Sequence, residues 1–205
     1  MKPEKTAQLF IISGPSGSGK DTLISKVMES RREIALSISA TTRPPRGREK
    51  DGRDYWFLSR ECFEEMIREN GLLEYAEYCG NYYGTPRAPI EEWTRKGIDV
   101  FLNIEVQGAM QVKKKFPSAV TVFILPPSMK VLEQRLRGRR TEAAEMTAKR
   151  LETARREIAR AGEYDYIVVN DDLGEAAGTL LKIIDCQKQK SCNMIKNINE
   201  VLANA

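Results

Sequence analysis

The stretch Gly14-Pro15-Ser16-Gly17-Ser18-Gly19-Lys20 has the GxxxxGK spacing of a phosphate-binding P-loop. It follows a short apolar run, Leu9 to Ile12, and precedes a segment with helical spacing, Asp21 to Ser30; this strand–loop–helix context makes the motif informative. Glycines allow backbone N–H groups to turn toward phosphate oxygens, and the start of a helix adds partial positive charge. Lys20 is predicted to reach the β and γ phosphates of a nucleotide. A turn that only connects strand and helix is the alternative, and the lysine in register argues against it.

Outside the P-loop, apolar runs typical of buried strands alternate with segments of helical spacing. The predicted strands are Ile98 to Glu105, Ala119 to Leu125 and Tyr166 to Val169, and the helices that follow them are Gln107 to Phe116, Ser128 to Arg137 and a segment from Gly174 onward. With the P-loop, this alternation predicts an α/β fold with a parallel sheet in a three-layer α/β/α core. Two stretches, 37–87 and 128–151, interrupt it, and insertions at the rim of such a sheet are where ligands and lids are usually found.

Size and composition limit the classes of function. The 205 residues suffice for one substantial core, and 41% hydrophobic with 30% charged residues is an ordinary globular balance. The net charge is only +4, although basic residues bunch at 43–53 and 135–150. These clusters indicate either solvated faces or sites for an anionic substrate, rather than a general nucleic-acid binder. The absence of histidine excludes serine–histidine and cysteine–histidine mechanisms.

The cysteines and the start of the chain indicate the cellular environment. The four cysteines form no CxxC pair, so metal and redox functions have little support and reduced thiols are expected. Residues 1–8 are polar and contain Pro3, unlike a signal peptide, and no apolar run approaches the roughly 18 residues of a membrane span. These features predict a cytoplasmic protein that binds neither nucleic acid nor a membrane.

Four further segments are more specific than the P-loop alone. They are Ser39-Ala40-Thr41-Thr42-Arg43-Pro44-Pro45-Arg46, Gly80-Asn81-Tyr82-Tyr83-Gly84-Thr85, Gly138-Arg139 and Val169-Asn170-Asp171-Asp172. With the P-loop they resemble guanylate kinase, in the right order, from about residue 8 to about residue 185. The resemblance implies a core (about 1–36, 88–127 and 152–185), a GMP-binding region (about 37–87) and a lid (about 128–151). It also implies phosphorylation of GMP by ATP in purine metabolism, with Mg²⁺ as cofactor and dGMP as a further candidate acceptor.

The resemblance implies by position which residues bind GMP: Ser39, Arg43, Arg46, Tyr55, Glu74, Tyr83, Thr85 and Glu105. The residue types support it, because Arg43 and Arg46 supply planar guanidinium forks for a phosphate and tyrosine hydroxyls add donors. The Glu74 carboxylate can accept two hydrogen bonds, which matches the adjacent N1–H and 2-amino donors of guanine. AMP lacks this pair of donors, so a site built in this way rejects it by roughly 10⁴-fold.

The resemblance likewise implies an ATP site, formed by Gly14, Pro15, Ser16, Gly17, Ser18, Gly19, Lys20, Asp21, Thr22, Arg135, Arg139 and Asn170. The acceptor phosphate has a second pKa of about 6 and is largely dianionic near neutral pH, so direct in-line transfer needs no general base. Catalysis then rests on alignment and positive charge, and the predicted catalytic residues are Lys20, Arg43, Arg139 and Arg150, together with Mg²⁺.

Two positions depart from the pattern of the family. Asp21 stands where Ser or Thr would normally offer a hydroxyl to Mg²⁺, and Thr22 follows one residue late. The stretch ending Asn103-Ile104-Glu105 resembles a family segment that reads acid–x–Asp, so the first acid is missing. One hypothesis is that a carboxylate has changed sides, with Asp21 near the water shell of the metal in place of an acid at 103. Independent drift at two tolerant positions is the alternative.

Three other functions compete with this interpretation. A P-loop kinase for another small phosphate acceptor is disfavoured by Glu74 and Ser39. A non-catalytic guanylate-kinase-like interaction module is disfavoured by the intact P-loop and the lid arginines. A GTP-binding switch is disfavoured because no NKxD-type motif is present.

The segment after Asp185 lies outside the resemblance. Its apolar residues, Met194, Ile195, Ile198, Val201 and Leu202, recur at helical spacing and predict an extra helix within about 186–205. Packing of this helix on the core of its own chain is expected, with a dimer contact as the alternative, so monomer and homodimer both stay open.

Overall fold

A computed structural model of the chain describes residues 7–78, 80–137 and 144–203. The strands are β1 (Leu9–Ser13), β2 (Ala35–Leu36), β3 (Ala40–Thr41), β4 (Trp56–Phe57), β5 (Leu72–Tyr78), β6 (Asn81–Pro86), β7 (Val100–Asn103), β8 (Val120–Leu125) and β9 (Tyr166–Val169). The helices are α1 (Lys20–Ser30), α2 (Arg60–Arg68), α3 (Arg87–Arg95), α4 (Val106–Lys115), α5 (Met129–Arg137), α6 (Ala144–Ala159), α7 (Leu173–Lys188) and α8 (Ile195–Ala203). Short 3₁₀ turns occupy Ala161–Glu163 and Ser191–Asn193.

The central sheet is parallel and has the order β2-β7-β1-β8-β9. Every residue of β1 is buried, because helices cover both faces of the sheet, and this explains the continuous apolar runs in its central strands. On one face Leu23 and Val27 of α1 pack with Leu180 of α7, and on the other α4 contributes Val106 and Val112. The predicted α/β/α core is therefore confirmed.

A second sheet with the order β4-β3-β6-β5 lies between β2 and α3 in the chain. It has a small apolar cluster of its own, in which Phe63 of α2 packs with Ala40 and Leu72. The sheet spans the stretch for which the sequence predicted an insertion. The adjoining helix α3 was not predicted, and the sequence analysis assigned no element to residues 87–95.

Helix α4 connects the two sheets. It begins directly after β7, with Glu105 as its N-cap residue, and packs on the central sheet. Near its other end Lys115 Nζ donates to the backbone oxygen of Leu73 on β5, over 2.7 Å. The positions of the two sheets are therefore linked through one helix.

Helices α5 and α6 pack together through Leu132, Leu136 and Ala154. The predicted lid ended at about residue 151, whereas α6 continues to Ala159.

The C-terminal helix α8 exists, but the expectation that it packs on the core is wrong. Ile195 and Ile198 are about half exposed, and Val201 and Leu202 are 71% and 70% exposed. Among the described residues, no helix is long and apolar enough to cross a membrane.

Candidate active site

The P-loop turns tightly between β1 and α1 and is pressed against its neighbours. Gly14 has φ +148°, and a Cβ atom there would lie 2.4 Å from the backbone oxygen of Ile124 on β8. Gly19 has φ +89°, and a Cβ atom there would lie 2.4 Å from Nδ2 of Asn170. At both positions a side chain meets a steric clash and an unfavourable backbone conformation, so the loop requires glycine.

The P-loop lysine is held within the loop. Lys20 is half-buried at the first position of α1, and its Nζ donates to the backbone oxygen of Gly14 over 2.5 Å. This hydrogen bond spans the loop and keeps the ammonium group beside the backbone that the motif predicts to surround phosphates.

Two predicted ATP-site residues support the P-loop. Asn170 is buried, and its Nδ2 donates to the backbone oxygen of Ser18 over 2.8 Å. Arg135 on α5 donates to that same oxygen over 3.4 Å and to the backbone oxygen of Asn170 over 3.0 Å. Their direct contact with ATP stays a prediction.

The two anomalous positions are in direct contact. Asn103 Nδ2 donates to Oδ1 of Asp21 over 2.6 Å, although 82 residues separate them in the chain. The contact arises because Asn103 ends β7 next to Ile12 of β1, and β1 leads into the P-loop. The exposed Asp21 carboxylate therefore lies where the end of β7 meets the start of α1.

The loop after β3 holds Arg43 in an ion pair. Its guanidinium donates to both carboxylate oxygens of Glu49, over 2.9 and 3.0 Å, and also to the backbone oxygen of Pro44. Glu49 also accepts from the backbone N–H of Arg46 over 2.7 Å, and these contacts hold its pKa below the usual value. Glu49 was not predicted from the sequence, because its contacts depend on the folded loop. The Arg46 residue itself is exposed.

Two tyrosines lie beside Arg43. Its guanidinium carbon is 5.4 Å from the ring centre of Tyr55, and the rings of Tyr55 and Tyr83 are 6.2 Å apart. Burial raises the pKa of Tyr55, and the charge of Asp21 adds to that shift. Tyr55 and Asp21 are thus within electrostatic reach of each other. Ser39 is half-buried directly before β3, and its backbone oxygen accepts from the N–H of Trp56 over 2.9 Å.

Glu74 is a buried carboxylate at an irregular point of β5. The register with β6 shifts between Leu72, which pairs with Pro86, and Tyr75, which pairs with Gly84. The extra residue on β5 is typical of a β-bulge, which redirects side chains. Glu74 is 7% exposed, and its Oε1 accepts from the hydroxyl of Thr85 over 2.6 Å.

The groups around Glu74 shift its pKa in opposite directions. Burial raises the pKa of Glu74, while the Thr85 hydroxyl and the ammonium of Lys115 lower it, and Glu105 raises it slightly. A buried carboxylate with one hydroxyl donor has remaining acceptor capacity, because an ionised carboxylate can accept several hydrogen bonds.

A second acidic pair was not predicted. Glu157 on α6 is half-buried and hydrogen-bonded to Glu105. Burial and the charge of Glu105 raise the pKa of Glu157 to about 7, although Lys20 opposes the shift. Glu105, exposed at the end of β7, thus lies within electrostatic reach of both Glu74 and Glu157. The helical spacing of α6 offered no signal for this pair.

The predicted lid arginines are only partly described. Arg139 lies outside the described residues, and Arg150 is half-buried on α6. A P-loop with its lysine, combined with a second sheet whose strands and loops contribute an arginine, two tyrosines and a buried carboxylate, is typical of a P-loop kinase for nucleoside monophosphates. The sequence model of guanylate kinase matches residues 6–187, and the chain belongs to the guanylate kinase family.

Individual relatives agree with this assignment. The chain is 53% identical over 187 residues to a guanylate kinase of Synechocystis sp., covering 90% of this chain and 98% of the relative. It is 51% identical over 187 residues to one of Thermus thermophilus, covering 91% and 84%. The crystal structure of guanylate kinase from Anaplasma phagocytophilum matches with a TM-score of 0.76 at 34% identity, covering 92% of this chain and 90% of that one. Membership of this family makes the chain a nucleotide-binding phosphotransferase.

Proposed function

We propose that the residues described above carry out the reaction of the family by direct in-line transfer. The chain phosphorylates GMP to GDP at the expense of ATP. In the proposed site the P-loop holds the donor phosphates and the second sheet holds the acceptor, so that the two nucleotides meet end to end between α1 and β3. The observation that carries the proposal is the buried Glu74 carboxylate, which accepts a hydrogen bond from Thr85 and lies within electrostatic reach of Lys115.

Glu74 selects the base. An ionised carboxylate accepts hydrogen bonds, and guanine presents two adjacent donors, N1–H and the 2-amino group, to a partner of this kind. Adenine presents an acceptor at N1 and no 2-amino group, so AMP would leave the buried carboxylate unpaired, which is costly. The hydroxyl of Thr85 fixes the direction of the carboxylate, and Ser39 supplies a hydroxyl for the O6 atom of guanine.

Arg43, Arg46, Tyr55 and Tyr83 bind the acceptor phosphate. Arg43 is oriented by Glu49, and this leaves the rest of its guanidinium to donate to the phosphate. The tyrosine rings beside Arg43 add phenolic donors at the same place. Glu49 therefore acts as a positioning residue, since its carboxylate also fixes the backbone of Arg46.

Positive charge at the donor end stabilises the transferred group. Lys20 leaves the Gly14 oxygen to contact the β and γ phosphates, and the lid arginines Arg135, Arg139 and Arg150 close over the triphosphate. The acceptor phosphate attacks as a dianion, so no side chain has to remove a proton. Closure of the lid also excludes water, which limits hydrolysis of ATP.

The residues at the end of β7 and the start of α1 fit a magnesium ion. Oxygen ligands and retained water molecules suit Mg²⁺, and the exposed carboxylate of Asp21 lies directly after the P-loop lysine. Mg²⁺ bound there would neutralise charge that develops on the phosphates. The hydrogen bond from Asn103 orients Asp21, and this contact supports the hypothesis that the carboxylate has moved from position 103 to position 21.

Exchange of the two residues tests this metal proposal. Asp21→Ser removes the only carboxylate of the Asp21–Asn103 pair. It should therefore raise the Mg²⁺ concentration at which turnover is half-maximal. The Mg²⁺ concentration at which binding of fluorescent ADP is half-maximal should rise as well. Asp21→Ser combined with Asn103→Asp should restore the wild-type value. An unchanged Mg²⁺ dependence in Asp21→Ser would remove Asp21 from the metal site.

A panel of acceptors tests the function itself. Purified protein with MgATP should release ADP rapidly with GMP, and much more slowly with IMP, which lacks the 2-amino group, or AMP. Including dGMP in the panel determines whether the ribose 2′-hydroxyl matters. A preference for AMP, or no ADP release with any acceptor, would overturn the proposal.

A further inference from the structure

A glycine of α4 lies directly against the carboxylate of Glu74. A Cβ atom on Gly108 would lie 2.6 Å from Oε2 of Glu74, 3.0 Å from Cδ and 3.4 Å from Cγ. Gly108 is buried in the first turn of α4, and its φ is not positive, so the backbone conformation does not require glycine. Glycine is also one of the weakest helix formers. Its presence here is therefore explained by the space that Glu74 occupies.

The carboxylate has little room to move away from α4. Its other oxygen, Oε1, is bonded to the hydroxyl of Thr85 over 2.6 Å, so rotation away from position 108 breaks that hydrogen bond. The backbone beneath it is also closely packed, because a Cβ atom on Gly84 of β6 would lie 2.8 Å from the backbone oxygen of Glu74. The carboxylate is thus confined between the backbone of α4 and the side chain of Thr85.

Helix α4 cannot easily shift instead. Val106, Ala109 and Val112 are buried against the central sheet. Two turns after Gly108, Lys115 donates to the backbone oxygen of Leu73, the residue before Glu74. The helix is therefore attached to the core along one side and to β5 at its far end, and a side chain at position 108 displaces the carboxylate rather than the helix.

We propose that Gly108 is a positioning residue for base selection: the missing side chain creates the space in which Glu74 points at guanine. This inference rests on the proposed role of Glu74 as the residue that contacts the base. Any larger residue at 108 moves the carboxylate off the N1–H and 2-amino donors while leaving the P-loop intact.

Gly108→Ala tests this directly. The variant should raise the KM for GMP by about tenfold or more and narrow the preference for GMP over IMP, because a misplaced carboxylate no longer pairs with the 2-amino group. Turnover at saturating GMP and the KM for ATP should change less than about twofold. General loss of structure would alter these values as well as the KM for GMP. Gly178→Ala on α7 is the matched control, since a Cβ atom there meets nothing within 4 Å; its kinetics should equal those of wild type.

A double-mutant cycle with Glu74→Asp separates the possible failures. Asp is one methylene shorter, so its carboxylate retreats from position 108, and Gly108→Ala should cost clearly less in this background than in wild type. Equal costs in both backgrounds, or a KM for GMP within twofold of wild type in Gly108→Ala, would overturn the inference about Gly108. If Glu74→Asp alone leaves GMP binding and base preference unchanged, it is the role of Glu74 that fails.

Discussion

The proposed donor end and the proposed acceptor end of this site are built in different ways. At the donor end the P-loop presents backbone groups, and buried side chains such as Asn170 support it from behind. At the acceptor end the contacts come from side chains fixed by other side chains, as Thr85 fixes Glu74 and Glu49 fixes Arg43. Phosphates are common to all nucleotides, and backbone N–H donors suit them. One base is distinguished from another by a few polar side-chain atoms that are held at defined positions.

The comparison predicts different kinetic consequences for substitutions at the two ends. Loss of charge at the donor end should lower turnover, because this charge acts on the group being transferred. Loss of a side chain at the acceptor end should raise the KM for GMP and change selectivity, because these contacts form on binding.

The largest effect is expected at Lys20. Lys20→Met should lower turnover by about 10³-fold, because it removes a cation proposed to contact the transferred phosphate, while the KM for GMP changes little. Steady-state kinetics of ADP release measures both values. Lys26→Met is the control on the same helix, since Lys26 is exposed and paired with Glu29. Equal turnover in Lys20→Met and wild type would remove Lys20 from the mechanism.

A smaller effect, on binding only, is expected at Glu49. Glu49→Gln weakens the contacts that orient Arg43 and the backbone of Arg46, so the KM for GMP should rise by about five- to tenfold with turnover nearly unchanged. Glu64→Gln is the control, because Glu64 forms an exposed ion pair with Arg60. A fall in the KM for GMP would instead mean that Glu49 competes with the acceptor phosphate for Arg43.

The smallest effect is expected on stability at Glu157, where the two ends meet. Its pKa of about 7 lies above the ordinary glutamate value of 4.5. The folded state therefore holds this proton more tightly than the unfolded state, and stability is lost as pH rises from about 4.5 through 7. The Tm of Glu157→Gln should be higher than that of wild type at pH 8, and the difference in Tm should be smaller at pH 5.

Thermal unfolding across this pH range measures that difference. Glu152→Gln on the same helix serves as the control, because Glu152 is exposed and pairs with Arg155 and Arg156. A difference in Tm between Glu157→Gln and wild type that does not vary with pH would contradict the prediction.

Much of the core follows from local pattern. Buried parallel strands between two helical layers leave continuous apolar runs, and the strand predicted at Ala119 to Leu125 is observed as Val120–Leu125, with all but its last residue buried. The P-loop was equally predictable, because its glycines and lysine must keep a fixed spacing. The contact between Asp21 and Asn103 was not itself predicted, but the hypothesis that both positions face one metal ion implied that they lie close together, and the two side chains are within hydrogen-bond distance.

The remaining features depend on contacts that no local pattern encodes. Glu157 reaches Glu105 only because the fold brings α6 near the start of α4, and Gly108 meets Glu74 only because α4 lies against β5. For α8, helical spacing predicted an apolar face correctly, but spacing does not determine what covers that face.

The affinity for GMP as a function of pH tests the central claim, that a buried carboxylate selects guanine. In the proposed site GMP binds the ionised form of Glu74, and burial raises the pKa of that group, so binding to wild type should weaken as pH falls through this raised pKa. Calorimetric titration of wild type and Glu74→Gln between pH 5 and 8 measures this. Glu74→Gln should bind GMP at least about 100-fold more weakly than wild type at pH 8, and its affinity should fall less than that of wild type as the pH is lowered, since only ionisation of the GMP phosphate then varies. Equal affinity of the two proteins for GMP at pH 8 would contradict it.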